Sequence, residues 1–184
     1  MSLELILGPM FAGKTSAILQ IVNRHKSIGR STLLISHSID SRYSPDNYII
    51  NHDGSTLACC KTADLTLLNK DLIDSKLIII EEAQFFNDLY VFVLDLVEKQ
   101  GKDVIVVGLD GDADRKPFGQ ILELVPLCDK ITKLTALCKI CKDGTDALFT
   151  FCKKKKDSQI CVGGDDLYMP LCRQHYKTSV LSNV

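Results

Sequence analysis

The sequence lacks any apolar run approaching the roughly 20 residues needed to span a bilayer, which excludes a helical membrane protein. It also lacks an excess of charge. Its 22 Lys and Arg stand against 23 Asp and Glu, for a net charge of −1. No long-range positive field therefore draws the chain to nucleic acid or to an anionic membrane. The one basic run, 153–156, reads as a solvated loop. A leader is missing too: the first strand opens at Leu3, which predicts an intracellular protein. In that compartment the eight cysteines are expected as reduced thiols or metal ligands, not as a disulfide framework. Internal repeats and low-complexity segments are absent. What is present is ordinary globular composition, 46% apolar and 24% charged over 184 residues, long enough for one α/β domain with a small appendage.

Leu3–Leu7 is a short apolar run that stops at Gly8 and Pro9, a buried strand feeding a turn. Ala17, Ile18, Ile21 and Val22 recur at helical spacing until Gly29. Thr32–Ile35 is a second strand, and 37–56 shows no periodicity and reads as a long loop of the functional or mobile kind. A short helix near Leu65–Leu68 precedes Leu77–Ile80, four apolar residues suited to a strand buried on both faces. Leu89, Val93, Leu96 and Val97 mark an amphipathic helix stopped by Gly101, and Val104–Val107 is a further buried strand before the polar segment 110–119. This alternation predicts an α/β fold with a parallel sheet and helices on both faces. Beyond residue 134 cysteines, glycines and lysines replace the apolar runs, as in a small β-rich module. The expected division is 1–134 and 135–184.

Gly8, Pro9, Met10, Phe11, Ala12, Gly13, Lys14 and Thr15 match G-x-x-x-x-G-K-[ST] between a predicted strand and a predicted helix. Glycines let the backbone curl so that its N–H groups meet phosphate oxygens, and the helix adds its positive end. Lys14 is expected at the β- and γ-phosphates and Thr15 on Mg²⁺. A chain of this length meets the pattern by chance about once in a hundred, and the strand-loop-helix context lowers that. Leu77–Ile80 then runs into Glu81 and Glu82. An acid at the carboxyl end of a buried strand suits a magnesium contact, the role expected of Glu81, while Glu82 would face the substrate as general base. The plain alternative is that both acids face solvent.

Cys138, Cys141, Cys172 and His175 form C-x₂-C and C-x₂-H pairs separated by 30 residues. Two such turns can grip one tetrahedral ion with no exchangeable position, a structural zinc site. The alternative is four reduced residues without metal. Cys59, Cys60, Cys128, Cys152 and Cys161 lack such pairing and read as small buried hydrophobes.

Over almost its whole length the chain resembles the zinc-containing, phosphate-loop thymidine kinase family of animals, bacteria and large DNA viruses. The resemblance rests on Gly8–Thr15, Asp40 through Ser44, His52 with Asp53, Glu82 through Phe86, Leu109 through Gly111, Arg115 through Gly119, Val162 through Asp165 with Tyr168, and the metal ligands. It implies a P-loop NTPase-like domain and a zinc-held lasso, with transfer of the ATP γ-phosphate to the 5′-hydroxyl of thymidine. It further implies Glu82 as base, and Asp40, Arg42 and Gln84 on the ATP and Mg²⁺ side with the phosphate loop and Glu81. Met10, Phe85, Leu109, Ala113, Phe118 and Thr150 are implied around the base, Gln159, Ile160, Cys161, Val162 and Gly163 in the lasso, and Tyr168 on the nucleoside. A cytoplasmic homotetramer is implied as well (host cytoplasm for a viral chain), with no nucleic-acid or membrane partner.

Three departures accompany the resemblance. Glu81 stands where the family more often has aspartate, and Ala113 where many relatives have phenylalanine. The stretch from Cys141 to Thr150 is about two residues longer than usual. Ala113 motivates an alternative deoxynucleoside kinase with broader or deoxyuridine preference. Glu81 motivates a nucleotide-binding protein without catalysis. A DNA-dependent ATPase with a zinc finger is the third alternative, and the near-neutral charge speaks against it.

Overall fold

In the computed structural model, residues 1–39, 47–50, 54–68, 75–154 and 158–182 are described. Asp40, Arg42, Tyr43, Ser44, His52 and Asp53 lie outside them, as do Lys155 and Lys156 of the basic run. Alternation of apolar residues along each strand determines the layers. In β1 (Ser2–Leu7), β6 (Leu77–Glu81) and β7 (Asp103–Gly108), one set of side chains, including Leu5, Ile78, Ile80, Val104 and Val106, faces one core. The other set, Ile6, Leu77, Ile79, Ile105 and Val107, faces a second core. Both sets are buried, which is why the strands read as continuous apolar runs. Each fully covered Ile or Leu contributes about 1.5–3 kcal/mol.

The sheet has six strands in the order β5-β2-β6-β7-β1-β8, and every pairing is parallel. Here β2 is Thr32–His37, β5 is Cys60–Thr62 and β8 is Lys130–Lys133. Helix α1 (Lys14–Lys26) seals one face through Ile18, Ile21 and Val22. Helix α2 (Leu89–Leu94), continued by a wider π turn over Asp95–Lys99, seals the other with the 3₁₀ segment Ile121–Leu127. Helices thus cover both faces, as the alternation predicts.

Two sequence expectations change. The loop over 37–56 contains His37 at the end of β2 and an antiparallel hairpin of β3 (Tyr48–Ile50) with β4 (Thr56–Ala58). Strands of three residues are too short to print a periodicity. The short helix near Leu65 is a 3₁₀ turn, Leu65–Leu67, capped by the Asp64 carboxylate, which accepts the Thr66 N–H at 2.9 Å.

After Leu134 the chain forms two small antiparallel pairs. One joins β9 (Ala136–Leu137) to β10 (Asp146–Ala147), and the other joins β11 (Phe149–Cys152) to β12 (Tyr168–Leu171). A closing helix α3 (Arg173–Ser182) follows, an element the β-rich expectation did not contain. Phe151, Leu171 and Tyr176 make its core, and Phe11 and Ala12 of the phosphate loop pack against it. Gly8 enables this close approach: a Cβ there would lie 2.6 Å from the Leu134 carbonyl oxygen.

Candidate active site

The cleft lies outside the carboxyl ends of β1, β2, β6 and β7, where open α/β sheets bind ligands. Gly13, left-handed at φ 77°, turns the loop into α1, so the first N–H groups of that helix face the cleft. Lys14 Nζ donates to the carbonyls of Pro9 at 2.7 Å and Gly8 at 3.2 Å, which folds the lysine back along its own loop. Gly8 and Pro9 therefore form the back of the loop, while residues 10 to 15 line the cleft. Thr15 Oγ1 donates to Glu81 Oε1 at 2.9 Å. A hydroxyl and a carboxylate in contact, one on the helix and one at a strand end, are the donor set that a hydrated Mg²⁺ takes in phosphate-loop proteins.

Glu81 is buried and its neighbour Glu82 is half-buried, and the two diverge. The cause differs from simple strand alternation. Glu82 adopts a left-handed backbone, φ 52°, at the start of the 3₁₀ turn Ala83–Phe85. A non-glycine residue held there costs on the order of 1–3 kcal/mol and persists only where its surroundings impose it. Here the restraint is Gln84, whose Nε2 donates to Glu82 Oε2 at 2.5 Å while its Oε1 accepts the buried Leu109 N–H at 3.0 Å. Gln84 does not line the cleft; it braces Glu82 against the end of β7. Gly119 is required beside it, since a Cβ there would sit 2.1 Å from the Gln84 carbonyl oxygen.

The residues expected around the base come together in the cleft. Met10, Phe85, Leu109, Ala113, Phe118 and Thr150 all line the cleft, with Phe85 and Phe118 packed edge to face at 5.4 Å. Gln159, Cys161, Val162, Gly163 and Tyr168 line it too, and Ile160 does not. Tyr168 donates through its hydroxyl to the Cys161 carbonyl at 2.6 Å, which pins the lasso from within. His37 stacks its ring edge-on against Phe86 at 4.6 Å, and burial lowers its pKa, which keeps the imidazole neutral near pH 7.

Several cleft residues escaped the sequence reading. Asp112 is buried; its Oδ1 accepts the N–H groups of Asp114 and Lys116, and its Oδ2 accepts Gln159 Nε2 at 2.9 Å. Ser36, Lys61 and Tyr48 also line the cleft. The only signal for Asp112 was its place in the polar segment after β7. The others sit in or beside short strands whose neighbours come from elsewhere in the sequence.

Cys138, Cys141, Cys172 and His175 converge, with all ligand atoms within 4.8 Å of one another. His175 Nδ1 lies 3.6, 3.2 and 3.3 Å from the sulfurs of Cys138, Cys141 and Cys172, and Cys141 Sγ lies 3.8 Å from Cys172 Sγ. A tetrahedral zinc with Zn–S bonds near 2.3 Å has S···S edges of about 3.8 Å, so the tetrad fits that ion. Burial opposes ionisation of Cys138, but the N–H groups of Cys141, Cys172 and Ile140 pull its thiol down to about 6. Burial and the adjoining sulfurs push Cys141 up to about 11. Crowded thiols that resist joint ionisation are what a cation relieves. The tetrad reaches the cleft through short links. Thr150 Oγ1 accepts the Met10 N–H at 3.0 Å, and Tyr176 donates to the Ala113 carbonyl at 2.6 Å. Arg115, itself left-handed at φ 62°, lays its guanidinium over the Tyr176 ring at 4.5 Å.

Comparison with known proteins agrees with this geometry. Residues 1–176 match the family model described as thymidine kinase. Thymidine kinase of Choristoneura fumiferana entomopoxvirus is 44% identical over 183 residues, covering 96% of each chain. Thymidine kinase a of Arabidopsis thaliana is 41% identical over 183 residues, covering 97% of this chain and 76% of the plant protein. Thymidine kinase 1 of Dictyostelium discoideum is 34% identical over 179 residues, covering 96% of this chain and 78% of that one. The family match takes in the phosphate loop, the paired acids and the Cys₃His tetrad together, and the chain belongs to the thymidine kinase family.

Proposed function

We propose that the protein phosphorylates the 5′-hydroxyl of thymidine from ATP to give dTMP, with Glu82 as general base. The observation that carries this reading is one cleft in which the phosphate loop, Glu81, Glu82 and the aromatic pocket meet. Residues 10 to 15 hold the triphosphate through backbone N–H groups and Lys14. Thr15 and Glu81 would hold Mg²⁺, which would supply neutralisation of phosphate charge. Gln84 holds Glu82 ready to accept the hydroxyl proton as the new P–O bond forms. Phe85 and Phe118 offer the apolar walls that thymine's methyl group needs, and the lasso backbone reads the polar edge of the base. Asp40 and Arg42 complete the phosphate side by family resemblance.

The same reading assigns zinc a structural role at Cys138, Cys141, Cys172 and His175. It divides the chain into a nucleotide-binding body, 1–134, and a zinc-held lasso unit, 135–184. A homotetramer working in the cytoplasm without nucleic-acid or membrane partners follows from the family. No helix among the described residues is long and apolar enough to cross a membrane.

Ala113 supports a second reading of substrate range. It is buried at the cleft wall, where its side chain offers a nucleoside far less apolar surface than an aromatic ring would. A panel of thymidine, deoxyuridine and deoxycytidine with ATP separates the readings; equal rates on thymidine and deoxycytidine overturn thymidine preference. Glu82→Gln is expected to lose turnover by about 10²–10⁴-fold while ATP binding persists. A wild-type protein that phosphorylates no nucleoside leaves only a nucleotide-binding role.

A further inference from the structure

Ser36, the last residue but one of β2, lies beside two residues brought from distant parts of the chain. Across the parallel ladder it registers with Glu81 of β6 on one side and Lys61 of β5 on the other. Registered residues on neighbouring strands share a face. Leu34 and Ile79, two residues earlier on β2 and β6, face α1, so Ser36 and Glu81 face the side from which the phosphate loop enters. All three line the cleft. They form a row of ammonium, hydroxyl and carboxylate across the carboxyl ends of three strands.

The middle member is unexplained by the resting structure. Ser36 is 1% exposed, and its Oγ has no hydrogen-bond partner among the described residues. Buried hydroxyls are seldom left so, because the lost hydration is not recovered. At the Glu81 end of the row Thr15 marks the metal side. Passing from β6 to β2 and then β5 leads away from the loop strand β1, with Lys61 at the far end. An anion lying between Lys61 and the metal would meet the Ser36 hydroxyl.

We propose that Ser36 and Lys61 contact the terminal phosphate of ATP: Ser36 Oγ–H donates to a γ-phosphate oxygen, and the Lys61 ammonium neutralises charge on the same group. This rests on the reading of the cleft as an ATP site and adds two residues to it. The phosphate-loop backbone grips the α- and β-phosphates of ATP and ADP alike, and only Lys14 of the loop reaches the γ-phosphate, so the pair adds to the discrimination between the two nucleotides.

Calorimetric titration without nucleoside tests it. Ser36→Ala is expected to weaken Mg·ATP binding about 10-fold, the low end for a hydrogen bond to a charged group, and Lys61→Met by a similar factor. Mg·ADP affinity should stay within about two-fold of wild type, on the ground that these contacts are absent. The ligand-free melting temperature of Ser36→Ala should be no lower than wild type, since the hydroxyl it removes has no partner among the described residues. Should Lys61→Met fail to fold, Ser36→Ala carries the test alone. Parallel loss of ATP and ADP affinity, or no loss of either, overturns the assignment. A wild type that binds neither nucleotide instead overturns the ATP reading itself, so the two failures are distinguishable.

Discussion

Gln84 joins the proposed base to the fold through one amide, and replacing it with methionine is the most informative perturbation of the mechanism. Methionine keeps the length and most of the volume of the side chain but can neither accept the Leu109 N–H nor donate to Glu82. Leu109 is buried, so its N–H loses its partner in a place water does not reach freely, at a cost of about 1–3 kcal/mol. The lost bond to Glu82 carries less stability, because that carboxylate is half-buried and solvent screens and replaces part of it. A total near 2–3 kcal/mol lowers the melting temperature by roughly 4–12 °C in a chain of this size. Catalysis suffers separately. Freed from its brace, Glu82 samples rotamers that do not face the acceptor, and kcat falls by about 10–100-fold.

Thermal melting and steady-state kinetics on Gln84→Met, below its melting range, measure the two effects independently. The decisive control is the same substitution in a Glu82→Gln background. With no base left to orient, the further loss of kcat should be close to nil, as expected of residues acting as a unit. A Gln84→Met enzyme with wild-type kcat refutes the bracing argument. So does a double variant whose losses simply multiply.

The lasso contact gives a swap experiment. Asp112→Asn and Gln159→Glu alone should each raise the KM for thymidine about 5–20-fold, from losing a hydrogen bond to a charged group, while the double variant recovers part of it. No recovery means the contact is incidental. Chelation of the tetrad metal should lower the melting temperature by more than about 10 °C, because structural zinc contributes on the scale of a whole domain's stability; an unchanged melt after verified metal loss contradicts the structural role. Ala113→Phe should tighten thymidine binding by about 1–3 kcal/mol of apolar contact and narrow the substrate panel. Equal affinities for wild type and variant would show that the cleft wall has no room for the ring.

How far the sequence could be read depends on where each signal resides. The phosphate loop and the Cys₃His pairs are local patterns whose chemistry travels with their spacing, so they survive without knowledge of the fold. Leu77–Ile80 and Val104–Val107 are legible because strands buried on both faces must be apolar throughout. Edge strands carry no such obligation. Cys60–Thr62 and Lys130–Lys133 each pair on one side only and mix polar with apolar residues, so neither showed a pattern. The same holds for the hairpin of β3 and β4. Ser36 and Lys61 become a site only through strand register, and Asp112 only through its bond to Gln159. Long-range pairing of this kind leaves no trace in local composition. Glu82 shows a subtler limit: its place at the end of a buried strand was legible, but the left-handed turn it adopts was not.

The links between the Cys₃His unit and the phosphate loop bear on why such an enzyme would carry a metal far from the reacting atoms. The Met10 N–H, part of the loop that faces ATP, is held by Thr150, and Phe11 and Ala12 pack into the core that surrounds the tetrad. On the nucleoside side, Ala113 is fastened by Tyr176 from α3, the helix that also carries His175. On the proposed reading, one connected unit therefore borders both substrates. Phosphoryl transfer needs donor and acceptor held to within fractions of an ångström, and two independently mobile walls would spend that precision. A metal-filled tetrad, by locking the small β-pairs and α3 together, would make the proposed ATP wall and base pocket parts of a single template. Loosening it should therefore weaken both substrates at once, whereas Ser36→Ala should touch only ATP and Asp112→Asn only thymidine.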